Sequence, residues 1–220
     1  MAFTLSGLRT KVQNKLDNTG ISTTKIDNWI NDAQREAVEG WRLPFFETTQ
    51  AYTLTVGDAD ITSGSGLPST FDRPIAVRIT TAEKEKALKY IQYDVLIKRY
   101  PDFENADTGT PRFWYEFSGD IKVFPEPDTA FTVDLDYFKE PTELTADGDI
   151  PELPSQYEEL LVIGAYIRGL EHDDDYDQAT VQRIIWDQKH LNMLRKSTQK
   201  PDGPTIMGIN RRVAARHVRG

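Results

Sequence analysis

A chain of 220 residues suffices for one domain with a sizeable core or for two small lobes sharing one, and the absence of cysteine excludes disulfides and all thiolate chemistry. Its net charge of −9 conceals an asymmetry: residues 195–220 carry seven Arg or Lys against the single acid Asp202, a local +6 that leaves −15 on the rest. An acidic body repels bulk DNA and argues against a general DNA-coating role, whereas a basic end on that body reads as a local anchor.

The start Met1-Ala2-Phe3-Thr4 lacks the positive region and apolar run of a secretory signal, and no segment approaches the roughly 20 apolar residues of a membrane span. A soluble protein is expected. Leu5, Leu8, Val12 and Leu16 recur at steps of three and four and predict a first helix ending near Gly20. Thr24 and Asp27 have the spacing of a capping box, and Ile26, Ile30, Ala33 and Ala37 continue a second helical stripe beside Trp29. Two antiparallel helices joined by a short turn over residues 18–23 are expected.

Pro44 stops the helical period among Trp41, Phe45 and Phe46, a packed hinge. Tyr52, Leu54 and Val56 alternate with Thr and mark a strand; residues 57–66 read as a loop, and residues 74–79 as a second strand. Residues 82–99 are ambiguous between helix and strand. The reading preferred is a charged hairpin turn at Glu83-Lys84-Glu85-Lys86, a strand over 87–91, and a short helix or turn over 93–100 stopped by Pro101. Strands over 113–117, 121–124 and 131–138 follow at spacings short enough for an antiparallel meander.

A proline-containing linker over 141–154 returns the chain to helix, with Tyr157, Leu160, Leu161, Gly164, Ile167 and Leu170 on one face. A last helix is expected to turn Ala179, Ile184, Ile185, Gln188, Leu191 and Leu194 to the core. The fold class is α+β: a four-helix bundle formed by the N- and C-terminal helix pairs, with an inserted antiparallel β-rich lobe and an extended C-terminal tail. The divisions are an N-terminal helix pair over 1–46, a β lobe over 47–150, a C-terminal helix pair over 151–200 and a basic tail over 201–220.

The residues that could carry chemistry have structural roles. No Gly-rich phosphate loop or dinucleotide fingerprint occurs, and Gly64-Ser65-Gly66 lacks the following helix and lysine. Glu171-His172-Asp173-Asp174-Asp175 is the most metal-like run, but between two helices it reads as a solvated turn in which Asp174 or Asp175 caps the second. Asp134 and Asp136 share a strand face as paired catalytic carboxylates do, yet alternation with Phe131, Val133, Leu135 and Tyr137 reads as a wet face opposite a buried one. Ser155 or Ser197 with a histidine lacks a nucleophile elbow. His172, His190 and His217 propose no metal cluster. The aromatics Phe113, Trp114, Tyr115 and Phe117 beside Arg112 suit base stacking, but in an acidic lobe they read as core and subunit contact. No catalytic, cofactor-binding or metal site is expected, and no enzyme.

The tail surrounds Val213, Ala214, Ala215 and Val218 with Arg211, Arg212, Arg216 and Arg219. Three readings stay open: a basic disordered end, a segment that folds onto another chain, or a nucleic-acid contact.

Residues 109–117 with 119–127, GTPRFWYEF and GDIKVFPEP, resemble the central motif of tailed-bacteriophage head-to-tail connector proteins, the portal adaptors and head-completion proteins. Residues 151–161, PELPSQYEELL, resemble the start of their late helix, and the order of elements agrees from about Leu5 to Leu194. The matching positions are Pro111, Arg112, Trp114, Tyr115, Pro125 and Pro127, then Pro151, Pro154, Tyr157, Leu160 and Leu161. Chain geometry and packing are their implied roles. The resemblance implies a structural ring, commonly of twelve copies, below the portal protein and around the DNA exit channel of the virion, assembled in the host cytoplasm. Its partners would be the portal, a tail or next neck protein, other copies of itself, and double-stranded DNA passing without sequence recognition, with no membrane. It implies lateral contacts by the bundle, a β lobe facing the tail, and no enzymatic activity or cofactor. Portal docking through Ile206, Ile209, Arg211, Arg212, Val213, Arg216 and Arg219 rests mainly on charge. Another position in the neck and a nucleic-acid-binding module are the alternatives.

Overall fold

The computed structural model describes residues 3–16, 20–64, 66–81, 86–103 and 106–198. The first two expected helices are present as α1 (Leu5–Leu16), which buries Leu5, Leu8 and Val12, and α2 (Thr23–Val38), which buries Ile26, Trp29, Ile30, Ala33 and Ala37. The capping box expected at Thr24 is replaced by an earlier cap. Ser22 has extended backbone angles, and its Oγ accepts from the Lys25 amide at 3.3 Å. Asp27 faces α1 instead, where the Arg9 guanidinium donates to both its oxygens at 2.7 and 2.8 Å. A bidentate charged pair outcompetes a reach back to one backbone amide.

Helices α4 (Glu158–His172) and α5 (Tyr176–Thr198) follow the β region, and α4 contacts α1, α2 and α5. That position explains why α4 is apolar nearly all round, with Leu160 through Ala165 all buried. Residues 141–154 do more than link. Leu144 and Leu153 enter the helical core, and the Leu5 amide donates to the Asp149 carbonyl at 2.9 Å.

The β strands form two sheets. The larger has the order β1 (Glu47–Leu54), β7 (Phe131–Lys139), β2 (Phe71–Ile79), β3 (Lys86–Ala87); the smaller has the order β4 (Lys89–Tyr90), β5 (Phe113–Phe117), β6 (Asp120–Phe124). Strand β7 is antiparallel to both neighbours, pairing Glu47 with Phe138 through Leu54 with Phe131 on one side. Pro74 lies in β2 beside a register shift, where an absent amide is tolerated.

The expected three-strand meander is corrected at its last step. β5 and β6 form the hairpin, but β7 joins the other sheet. Pro125 and Pro127 carry no amide hydrogen with which to extend a ladder, and the Phe124–Pro125 peptide is cis. The Pro127 carbonyl accepts instead from Gly57 at 2.9 Å. The strand expected over 87–91 is likewise divided, because the chain changes sheet at Leu88. The Leu88 amide donates to Val77 at 2.9 Å, and Lys89 then donates to Arg112 at 3.1 Å, so β4 runs parallel to β5. The charged turn expected at 83–86 lies outside the described residues except for Lys86, which pairs with Ile79 as a hairpin requires.

The two sheets share one apolar core in which Trp114, Ile121 and Val123 of the smaller meet Val77, Val133 and Leu135 of the larger. Helix α3 (Tyr93–Arg99), present where a short helix or turn was expected, covers the opposite face of the small sheet by placing Leu96 with Tyr115 and Phe124. The fold is α+β, with five α-helices and two mainly antiparallel sheets among the described residues.

Candidate assembly surfaces

The central segment folds into one built unit. Trp114 pairs with Val123 and Phe113 with Phe124 across the hairpin; below it the Arg112 amide donates to the Phe124 carbonyl at 2.9 Å. The Gly109 amide donates to the Glu126 carbonyl at 2.7 Å and bridges to Pro127, carrying the pairing past the hairpin. Pro111 and Pro127 are buried, Pro125 is half-buried, and the Arg112 side chain is exposed. Both faces of β5 are covered: Trp114 turns into the core between sheets and Tyr115 toward α3. Trp114 and Tyr115 are buried, which is the core half of the reading as core and subunit contact. Phe117 continues the Tyr115 face beyond the cover, 44% exposed, with its ring 4.3 Å from that of Tyr93.

The second motif lies in the other core. Pro151 is buried, Pro154 precedes a 3-10 turn at Ser155–Tyr157, and Leu160 and Leu161 are buried at the start of α4. The Trp186 Nε1 donates to the Leu160 carbonyl at 3.1 Å, tying α5 to this turn. The two groups of motif residues therefore do not converge. One builds the hairpin between sheets, and the other seats α4 among the helices.

Charged groups form braces. Arg78 donates to both oxygens of Asp136 at 2.8 and 2.9 Å and lies 3.7 Å from Asp134, so the two acids share a cation. The hydrogen bonds from Arg78, assisted by Thr49, outweigh desolvation and hold Asp136 below the usual carboxylate range. Glu36 of α2 accepts from Arg168 of α4 at 2.8 Å and from Arg183 of α5. Burial alone would raise its pKa, but the hydrogen bonds and charges of the two arginines prevail and lower it.

The acidic turn before α5 is a cap. Asp175 Oδ1 accepts from the Gln178 amide at 3.2 Å, and Asp174 has a left-handed φ of 59°. Ser197 donates to the Met193 carbonyl at 2.8 Å, while His190 contacts the Ala37 carbonyl at 2.8 Å and His172 lies beside Lys25. Among the described residues no group of three or more His, Cys, Asp or Glu is arranged to hold a metal ion, and no helix is long and apolar enough to cross a membrane.

The sequence reading missed two surface features. A cleft of about 320 Å³ lies where the end of α2 meets β2 and β7, lined by Arg35, Trp41, Arg73, Phe138 and Glu140. The second is on α5, whose inward face is Ala179, Trp186, Met193 and Leu194, leaving Val181, Ile184 and Leu191 exposed. Ile184, Gln188 and Leu191, expected in the core, are corrected to the surface. Trp186 fixes the rotation, since its indole fills the space beside Gly164. Residues 199–220, with Ile206, Ile209, Arg211, Arg212, Val213, Arg216, Arg219 and His217, lie outside the described residues.

A family model described as SU10 adaptor protein matches residues 3–212. No curated protein matches the chain. The match takes in both helix pairs, both sheets and the first part of the basic segment, and its length decides the assignment: the chain belongs to the SU10 adaptor protein family, a family of phage adaptors.

Proposed function

We propose that the chain is the subunit of a structural adaptor ring that joins the phage portal to the tail and continues the DNA channel. The observation that carries this reading is the family match from residue 3 to residue 212, which spans the helices and sheets and reaches Arg211 and Arg212 of the basic tail. In this reading α1, α2, α4 and α5 act as one bundle making lateral contacts, and their shared core supports treating 1–46 and 151–200 as halves of one unit. The β lobe over 47–150, with its separate core, faces the tail. Ile206, Ile209, Arg211, Arg212, Val213, Arg216 and Arg219 reach the portal. Weak Arg–carboxylate contacts of this kind add up when many copies are held in one ring.

The subunit works by contact and not by turnover. An acidic body suits a conduit, because carboxylates along a lumen repel the duplex and let it slide. The test is sedimentation of the chain with purified portal ring, comparing the full chain with one ending at Lys200. Co-sedimentation of the full chain, lost on truncation, is expected. Failure of both forms to bind the portal would place the protein elsewhere in the neck.

A further inference from the structure

Helix α5 carries two apolar faces and the described fold covers one. Ala179 and Trp186 are each 4% exposed and Met193 1%, whereas Val181, Ile184 and Leu191 are 52, 56 and 50% exposed. These three recur at steps of three and seven, so they form one outward stripe. Asp187 stands between Ile184 and Leu191, and Asp177 one turn before Val181; neither has an ion-pair partner among the described residues. Beyond Asp177 the turn into α5 adds Asp173, Asp174 and Asp175, all exposed. The stripe is thus apolar along α5 apart from Asp187, and acidic at its N-terminal end.

The chain that continues from α5 has the inverse pattern in the inverse direction. Pro201-Asp202-Gly203-Pro204 has the composition of a chain reversal, Ile206, Met207 and Ile209 come next, and Arg211, Arg212, Val213 and Arg216 follow. Laid back along α5, the apolar residues meet Leu191 and Ile184, with Asp187 between them, and the arginines reach Asp177 and the acidic turn afterwards. The lengths agree. The 23 residues of α5 span about 35 Å as helix. Extended residues 205–216 span about 40 Å. We propose that the exposed stripe of α5 is a docking surface for the chain's own segment 205–216 before assembly. The occupant is its own chain because the segment begins seven residues beyond the end of the same helix, which gives it a local concentration in the millimolar range. The portal reading is not needed for this contact; if both hold, the portal competes with α5 for the same arginines.

Hydrogen exchange of the isolated full chain, read by mass spectrometry, tests this without any partner. Amides over 205–216 are expected to exchange at least about tenfold more slowly than in a free peptide of that sequence, equally at low and high protein concentration. Replacing Val181, Ile184 and Leu191 together by Ser is expected to abolish the protection, with the helical circular dichroism showing that α5 stays folded. Replacing Arg211, Arg212 and Arg216 by Glu, outside the described fold, is expected to weaken it as well. Exchange at the free-peptide rate would overturn the proposal, as would protection that survives both variants. Protection that grows with concentration would also overturn it, since the occupant would then be a second copy.

Discussion

Gly164 of α4 and Ala33 of α2 approach so closely that a Cβ on the glycine would lie 2.7 Å from the alanine Cβ. Trp186 Nε1 closes the same space at 3.1 Å. Three helices therefore meet at a residue without a side chain. Gly164→Ala gains about 1 kcal/mol in helix propensity. It then forces two backbones apart in a packed core, a cost of about 1–3 kcal/mol. A net loss of stability is expected, read as a lower urea midpoint at unchanged slope; a variant as stable as the parent would mean that the helices separate without cost.

Glu36 ties three helices together, and its charge state makes that tie depend on pH. Its carboxyl is held below the ordinary range in the folded protein because the arginine contacts outweigh burial. The unfolded chain therefore takes up this proton at a higher pH than the folded one. The associated stability is fully present above the ordinary glutamate range, about pH 4.3. It disappears as pH falls through the lower folded-state value. Glu36 and Arg183 are 30 and 35% exposed, so screening limits the effect, and Glu36→Gln is expected to lose about 1 kcal/mol at neutral pH. The difference between parent and variant, from urea unfolding at a series of pH values, should shrink toward pH 3. A constant difference would assign the effect to packing.

Asn31 is 4% exposed and acts as a clasp. Its Nδ2 donates to the Leu144 carbonyl at 3.0 Å, and its Oδ1 accepts from the Leu144 amide at 2.9 Å, so one side chain satisfies both backbone groups of a residue in the helical core. Asn31→Ala leaves both groups buried and unpaired, which costs about 2–4 kcal/mol in total. Thermal unfolding reads the loss, and faster hydrogen exchange over residues 142–149 locates it. Exchange unchanged there would show that the segment holds without the clasp.

The elements that were legible in the sequence are those whose signal is local. α1, α3 and the β5–β6 hairpin lie close to where periodicity and turn residues put them, because spacing, Pro101 and Ser118-Gly119 act within a few residues. What was not legible depended on distant partners. Nothing near Leu88 announces a change of sheet, which follows from hydrogen bonds to Val77 and Arg112. The rotation of α5 was misread because its sequence offers two apolar faces, and the choice between them is made by Trp186 against Gly164 and Leu160. Of the motif residues, Trp114, Leu160 and Leu161 lie in cores, and their division between two cores is a property of topology alone.

Phe117 and Trp114, three residues apart on β5, separate stability from assembly. Trp114 is 5% exposed between the sheets, and Trp114→Ala is expected to cost about 3–5 kcal/mol. Phe117 is 44% exposed at the end of the strand, touching Tyr93 and Lys122, so its truncation opens no cavity and should stay within about 1 kcal/mol. An aromatic left half-covered on the lobe proposed to face the tail is suited to a protein contact, where aromatic side chains carry much of the binding energy. Phe117→Ala is therefore expected to leave the unfolding midpoint near that of the parent and to weaken assembly with tail components, measured by co-sedimentation of preformed rings. Rings that bind the tail as well as the parent would move the contact away from this edge of the lobe, whereas a protein that unfolds would return Phe117 to the core with Tyr115.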